Sequence, residues 1–176
     1  MENLLCRLLR DGLDLALRIG RLEDSALKVR RLTVMPCVLV ASPEYASGRA
    51  VPRTLGDLKG WDFVRLSAVR PELLIVGPRK KSPQTLRFLS RVAADSATAL
   101  REMSIAGLGV AAIPEVLARD ALRRGRLVEV LPDWQLPALG VYAVWPGGTP
   151  RPALTLRFVD YMQDRLTELF SSPSRS

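Results

Sequence analysis

Read by its apolar and polar positions, the chain repeats one unit three times: an amphipathic helical stretch, a glycine, then a short apolar run. The first copy is Glu2 to Asp11, with Leu4, Leu5, Leu8 and Leu9 on one stripe, then Gly12 and the run Leu13 to Ile19. The second is Ser96 to Ala106, Gly107, then Leu108 to Ile113. In the third, Pro114 opens a helix through Arg124, Gly125 ends it, and Arg126 to Leu131 follows. Glycine just past a helix takes the left-handed backbone that turns the chain back, and proline in a first helical turn sacrifices no hydrogen bond. Apolar runs that scarcely alternate suit strands covered on both faces, as in parallel sheets. The pattern predicts an α/β fold, and sheets of that kind hold ligands at the carboxyl ends of their strands.

The middle of the chain predicts strands over Arg31 to Val40, Asp62 to Leu66, Glu72 to Val76 and Thr85 to Val92, with a single helical turn from Thr54 to Gly60. Turn signals such as Ser42-Pro43, Ser47-Gly48 and Gly77-Pro78 separate them. Toward the other end, Leu139 to Trp145 reads as a strand and Pro146 to Pro150 as a turn. The helix from Arg151 to Phe170 carries Leu154, Phe158, Tyr161, Met162, Leu166 and Leu169 on one broad face. Residues 171–176 form a polar tail expected to be disordered.

Composition narrows the function classes. A chain of 176 residues, 48% apolar and 25% charged, can bury a substantial core. It has no apolar stretch of the roughly 18 residues a membrane span needs. Residues 1–12, interrupted by Arg7, Arg10 and Asp11, lack the centre of an export signal. The cytoplasm is the expected address, with no membrane partner. Cys6 and Cys37 lie among Leu, Val and Pro, as core thiols do, and no histidine is present, so serine-histidine and cysteine-histidine catalysis and the commonest metal ligand are excluded. No cofactor and no enzymatic activity are expected. The net charge of +8 comes from arginines that outnumber lysines 22 to 4 and are spread from Arg7 to Arg175, many beside acids. Only Arg79, Lys80 and Lys81 cluster, which points to a solvated basic surface rather than a nucleic-acid face.

Several segments, in order, resemble the effector-binding domain of LysR-type transcriptional regulators. They are Arg10 to Gly20; Asp24 to Leu27; Val40 to Tyr45; Asp95-Ser96 with Ala106 to Pro114; and Gly125 to Pro132 followed by Leu139 to Pro146. Together they cover roughly residues 3–170. Two departures accompany the match. The family opens with a helix-turn-helix and a dimerising helix that nothing before Glu2 supplies, and its first lobe opens with a strand, helix and strand absent from this sequence. Ala94 also stands where the family often has Asn.

The resemblance implies a two-lobe, periplasmic-binding-protein-like (type 2) fold with two chain crossings, N-terminally truncated, with a small-molecule effector held between the lobes. Residues 1–37 with 138–170 would form the incomplete lobe one and residues 38–137 lobe two. Crossings are expected near Pro36 to Val40 and Trp134 to Val141. The implied partners are the effector, a homo-oligomer or full-length relatives in a hetero-oligomer, and DNA only through a helix-turn-helix outside this sequence.

With a cleft at strand carboxyl ends, the residues just past each strand become candidates for effector contact. Arg18, Ile19 and Gly20 follow or end the first strand. Arg18 can hold a carboxylate through two parallel hydrogen bonds, or pair with Asp14 or Glu23. Ser42 and Ser67 offer hydroxyls, or serve as plain loop residues. Asp95, Ser96 and Thr98 sit where a helix begins: they cap it in any case, and free N–H groups there attract anions. Trp134, Tyr142 and Trp145 stack on an aromatic effector or fill the core. The readings in play are a sensing and oligomerisation module of a regulator, binding a small anionic metabolite to control transcription; a solute-binding protein of a transporter; and a truncated regulator that does not bind DNA.

Overall fold

A computed structural model describes residues 12–20, 27–78, 83–146 and 153–171. The predicted helix Glu2 to Asp11, the cluster Arg79 to Lys81 and the tail past Ser171 lie outside them. In chain order the elements are β1 (Ala16–Ile19), β2 (Leu27–Met35), β3 (Cys37–Ala41), α1 (Pro43–Ser47), a 3-10 turn (Leu55–Leu58), β4 (Asp62–Leu66), β5 (Glu72–Ile75), β6 (Gln84–Arg87), β7 (Leu89–Ala94), α2 (Ala97–Ile105), β8 (Val110–Pro114), α3 (Glu115–Arg123), β9 (Val128–Glu129), β10 (Leu139–Pro146) and α4 (Ala153–Ser171). The chain packs as two units: Met1–Met35 with Leu139–Ser176, and Pro36–Ala138.

Two predicted strands are each split. Pro36, with no N–H to donate to a ladder, divides Arg31 to Val40 into β2 and β3, which belong to different units. A break at Phe88 separates β6 from β7, and the Phe88 ring stacks on Phe63 at 4.4 Å between centroids. The Ser42-Pro43 turn signal proves to be a helix start, with Pro43 in the first turn of α1 and the Ser42 hydroxyl as its cap. Asp57 ties down the 3-10 turn by accepting from the Arg53 and Thr54 amides at 2.9 and 2.8 Å, bonds that hold its carboxyl below the usual pKa.

In the second unit five strands lie in the order β7-β4-β8-β3-β9. The apolar runs are buried on both faces, as their lack of alternation predicts. On one face Leu39, Ala41, Phe63 and Val110 meet Leu58, Trp61, Ile75, Leu86 and Leu131; on the other Val40, Val64, Ala111 and Ile113 meet Leu100 of α2 and Ala118 and Ala121 of α3. The expectation of a parallel sheet needs correcting: β7, β4 and β8 are parallel, but β3 runs antiparallel to both β8 and β9.

The first unit holds a three-stranded antiparallel sheet, β1-β10-β2. Leu32, Ala143 and Trp145 pack against Val159, Met162 and Leu166 of α4, with Leu15 at the margin. Arg30 straps strand to helix through Asp160 at 2.6 Å and Gln163 at 2.7 Å. The predicted broad face of α4 is thus only partly used, because Leu154, Phe158, Tyr161 and Leu169 are exposed. Trp145 is core, Tyr142 is half-buried on the opposite face beside Leu27 and Val144, and Trp134 is half-buried against Gly77 in the second unit. Cys37, expected to be buried, is half-buried in β3.

Candidate functional site

Strand direction decides which candidates share a sheet end. Phe63 pairs with Val110, and Leu66 with Ala94, so β4, β7 and β8 all finish at one end of the second unit's sheet. Ser67 follows β4 there and donates its N–H to the Ala94 carbonyl at 2.8 Å, which joins it to the end of β7. Asp95 and Ser96 come next, and Thr98 stands in the first turn of α2. All four are exposed. Pro36 lies at the same end, since Cys37 pairs with Pro114 and the Pro36 carbonyl accepts from Glu115 N at 2.9 Å. The four candidates therefore gather where the chain enters this unit.

Ser42 does not join them. Because β3 starts at that end and runs against β8, Ser42 emerges at the opposite end, beside Gly107, whose Cβ would stand 3.6 Å from the Ser42 hydroxyl oxygen. It is 4% exposed, and its oxygen accepts from Tyr45 N at 3.1 Å. The expectation that every strand-end serine faces one site fails here, since it assumed parallel strands throughout.

The start of α2 is built to present backbone donors. The Ser96 hydroxyl accepts from Ala99 N at 3.2 Å, and the first N–H groups of any α-helix have no carbonyl partner within it. Those donors, together with the Ser67 and Thr98 hydroxyls, suit a carboxylate or similar small anion. The Asp95 carboxylate suits a donor on the same ligand.

Pattern reading missed Arg65. Its Nη1 donates to the carbonyls of Leu66, Ser67 and Val69 at 3.1, 3.1 and 2.9 Å, fastening the loop that carries Ser67. An arginine on a strand carries no local mark of such a clamp, because its acceptors are backbone groups of a turn still to be formed.

In the first unit Arg18 and Ile19 are exposed on β1, the outer strand of the sheet among the described residues, and Gly20, at φ +95°, donates its N–H to the Gly140 carbonyl at 2.9 Å. Gly20 thus lies at the sheet end where Met35 pairs with Leu139, the end at which the chain leaves this unit and returns. Arg18 makes no ion pair with Asp14, and Glu23 lies outside the described residues.

A family model described as the LysR substrate binding domain matches residues 1–167. Among curated proteins, an HTH-type transcriptional regulator of Haemophilus influenzae is 34% identical over 79% of this chain and 48% of its own length. The HTH-type transcriptional activator AaeR of Escherichia coli is 33% identical over 93% of this chain and 52% of its own. The chain thus spans about half the length of these relatives. Among solved structures, the regulatory domain of AphB from Vibrio vulnificus matches with TM-score 0.70 and 24% identity, over 88% of this chain and 76% of that domain. The CrgA regulatory domain from Neisseria meningitidis matches with TM-score 0.71 and 22% identity, over 90% and 78%. The fold is the α/β, two-lobe, periplasmic-binding-protein-like fold of those domains.

Proposed function

Because the chain belongs to the LysR substrate-binding domain family, we propose that it is the effector-sensing and oligomerisation module of a bacterial transcriptional regulator, binding a small anionic metabolite to control transcription. The observation that carries this reading is the gathering of Ser67, Asp95, Ser96 and Thr98 at one end of the second unit's sheet, around the donor-rich start of α2. These four are the proposed effector contacts, with Arg65 positioning the Ser67 loop. From the first unit the candidates are Arg18, Ile19 and Gly20, at the end of β1. DNA is reached through a helix-turn-helix elsewhere in the regulator, in the cytoplasm, and the module itself performs no catalysis.

The mechanism is a shift of populations. An effector changes a regulator only by binding one of its arrangements more tightly than another, and the coupling equals that difference in affinity. Charge-assisted hydrogen bonds from helix-start N–H groups provide such a difference if closure alone brings them onto the anion.

A thermal-shift screen against small carboxylates, aromatic acids and amino acids tests the reading. A true effector at about 100 times its dissociation constant adds about 2.7 kcal/mol of stability. S67A should weaken that response without abolishing the fold. A folded chain that answers to none of these classes would sink the proposal.

A further inference from the structure

The face of the first unit's sheet turned away from α4 carries a row of three residues set side by side. Arg18 of β1 and Arg31 of β2 both pair in register with Tyr142 of β10, so the three side chains share that face with the tyrosine in the middle. Arg31 owes its place to a bulge. Val141 pairs with Thr33 and Tyr142 with Arg31, and the extra residue between them, Leu32, turns into the core against α4. An unbroken ladder would set Leu32 opposite Tyr142.

The tyrosine lies along its strand rather than upright. A Cβ on Gly140 would collide with the Tyr142 ring and hydroxyl, so the ring rests over the backbone of Gly140 and is half-buried there. Beside it Gly20, hydrogen-bonded to Gly140, has open space where a Cβ would stand, and Val34, opposite Gly140, is exposed. The result is a shelf floored by an aromatic ring and bare backbone, with an arginine on either side. Arg18 and Arg31 are exposed, and neither they nor the Tyr142 hydroxyl has a hydrogen bond or ion pair among the described residues. The adjoining row on the same face, Ala16, Val144 and Val29, holds no acid. Two guanidiniums flanking a ring, with no carboxylate in either row, leave positive charge for a ligand to neutralise.

We propose that this shelf binds a small aromatic acid with two acidic groups, its ring stacked on Tyr142 and its acidic groups paired with Arg18 and Arg31. The Cα atoms of the arginines stand two strand spacings apart, about 10 Å, a separation that suits a ligand with an acid at either end. A saturated acid of the same charge meets the arginines but does not stack. The proposal rests on the effector reading above and names the class of effector.

Isothermal titration of the chain with isophthalate, its ring-saturated analogue and benzoate tests it. Wild type should bind isophthalate most tightly of the three. R18Q and R31Q should each weaken isophthalate about tenfold. Y142L should remove the preference for isophthalate over the saturated analogue, about threefold to tenfold in wild type, and Y142F should keep it. Circular dichroism checks that each variant is folded. Should Y142L lose structure, R18Q and R31Q, both at exposed positions, carry the comparison. Isophthalate binding indifferent to either arginine variant would overturn the proposal. A chain stabilised by some other acid yet binding none of these three would overturn it too, and would spare the effector reading. S67A separates the readings further: isophthalate lost on S67A but unmoved by R31Q would end this proposal alone. The converse would support the shelf and count against the contacts proposed in the second unit.

Discussion

At the scale of single residues, two glycines that look alike in sequence do different work. Gly107 and Gly109 flank Leu108, and both have positive φ. A Cβ on Gly107 would meet only the Ser42 hydroxyl at van der Waals distance, whereas one on Gly109, at φ +139°, would stand 2.5 Å from the Asp62 carbonyl oxygen. The backbones of β4 and the start of β8 close on that point, so G109A must both strain its own backbone and push a neighbouring strand. A loss of about 2 kcal/mol or more is expected in urea denaturation, while L108A, on a side chain 48% exposed, should cost far less. Nearby, the fully buried Ser104 hydroxyl donates to the carbonyls of Val40 and Gly109 at 3.1 and 3.0 Å, linking α2 to β3 and to the residue just before β8. Neither role is legible in sequence, where Ser104 is one small residue in a helix and Gly-Leu-Gly is a common turn.

At the scale of elements, local chemistry was the better guide. The start of α2 at Ser96, the end near Gly107 and the strand Asp62 to Leu66 all stand where periodicity and caps put them, because caps and turns are decided within a few residues. S96A should therefore cost about 1 kcal/mol through loss of the Ala99 N bond, and S96D, which keeps an acceptor, should cost little. Denaturant titration of the pair separates capping from any other role: an S96A chain as stable as wild type would deny the cap. Short elements escaped for the same reason. Five residues of α1 are too few to show a helical period, so Ser42-Pro43 looked like a turn. The α4 helix shows a wide apolar face in sequence, yet only the Val159, Met162 and Leu166 side of it meets the sheet.

Over the whole molecule, the two sheets differ in how they are covered. The second unit's sheet is sandwiched between two large apolar layers, whereas the first unit's packs Leu32, Ala143 and Trp145 against α4 on one face and has only the small cluster of Leu27 and Val144 with Ala16 and Tyr142 on the other. Protection against exchange follows buried contacts, so the amides of β3 and β8 should exchange with solvent water more slowly than those of β1 and β10. Hydrogen exchange read by mass spectrometry checks this. Equal protection of the two sheets would mean that the first unit draws stability from a source other than its own core.

By itself the sequence determined where the elements lie, which runs are buried on both faces, where helices are capped, and to which family the chain belongs. Each of these rests on periodicity, backbone sterics or residue order within short windows. Only the tertiary structure decided that β3 runs against its neighbours, that Ser42 is consequently parted from Ser67 and Ser96, that Arg65 clamps the loop that carries Ser67, and that β1 is the outer strand of its sheet among the described residues. Strand direction and edge position depend on the path of chain between distant segments, and hydrogen-bonded ladders accept either direction with the same side-chain alternation.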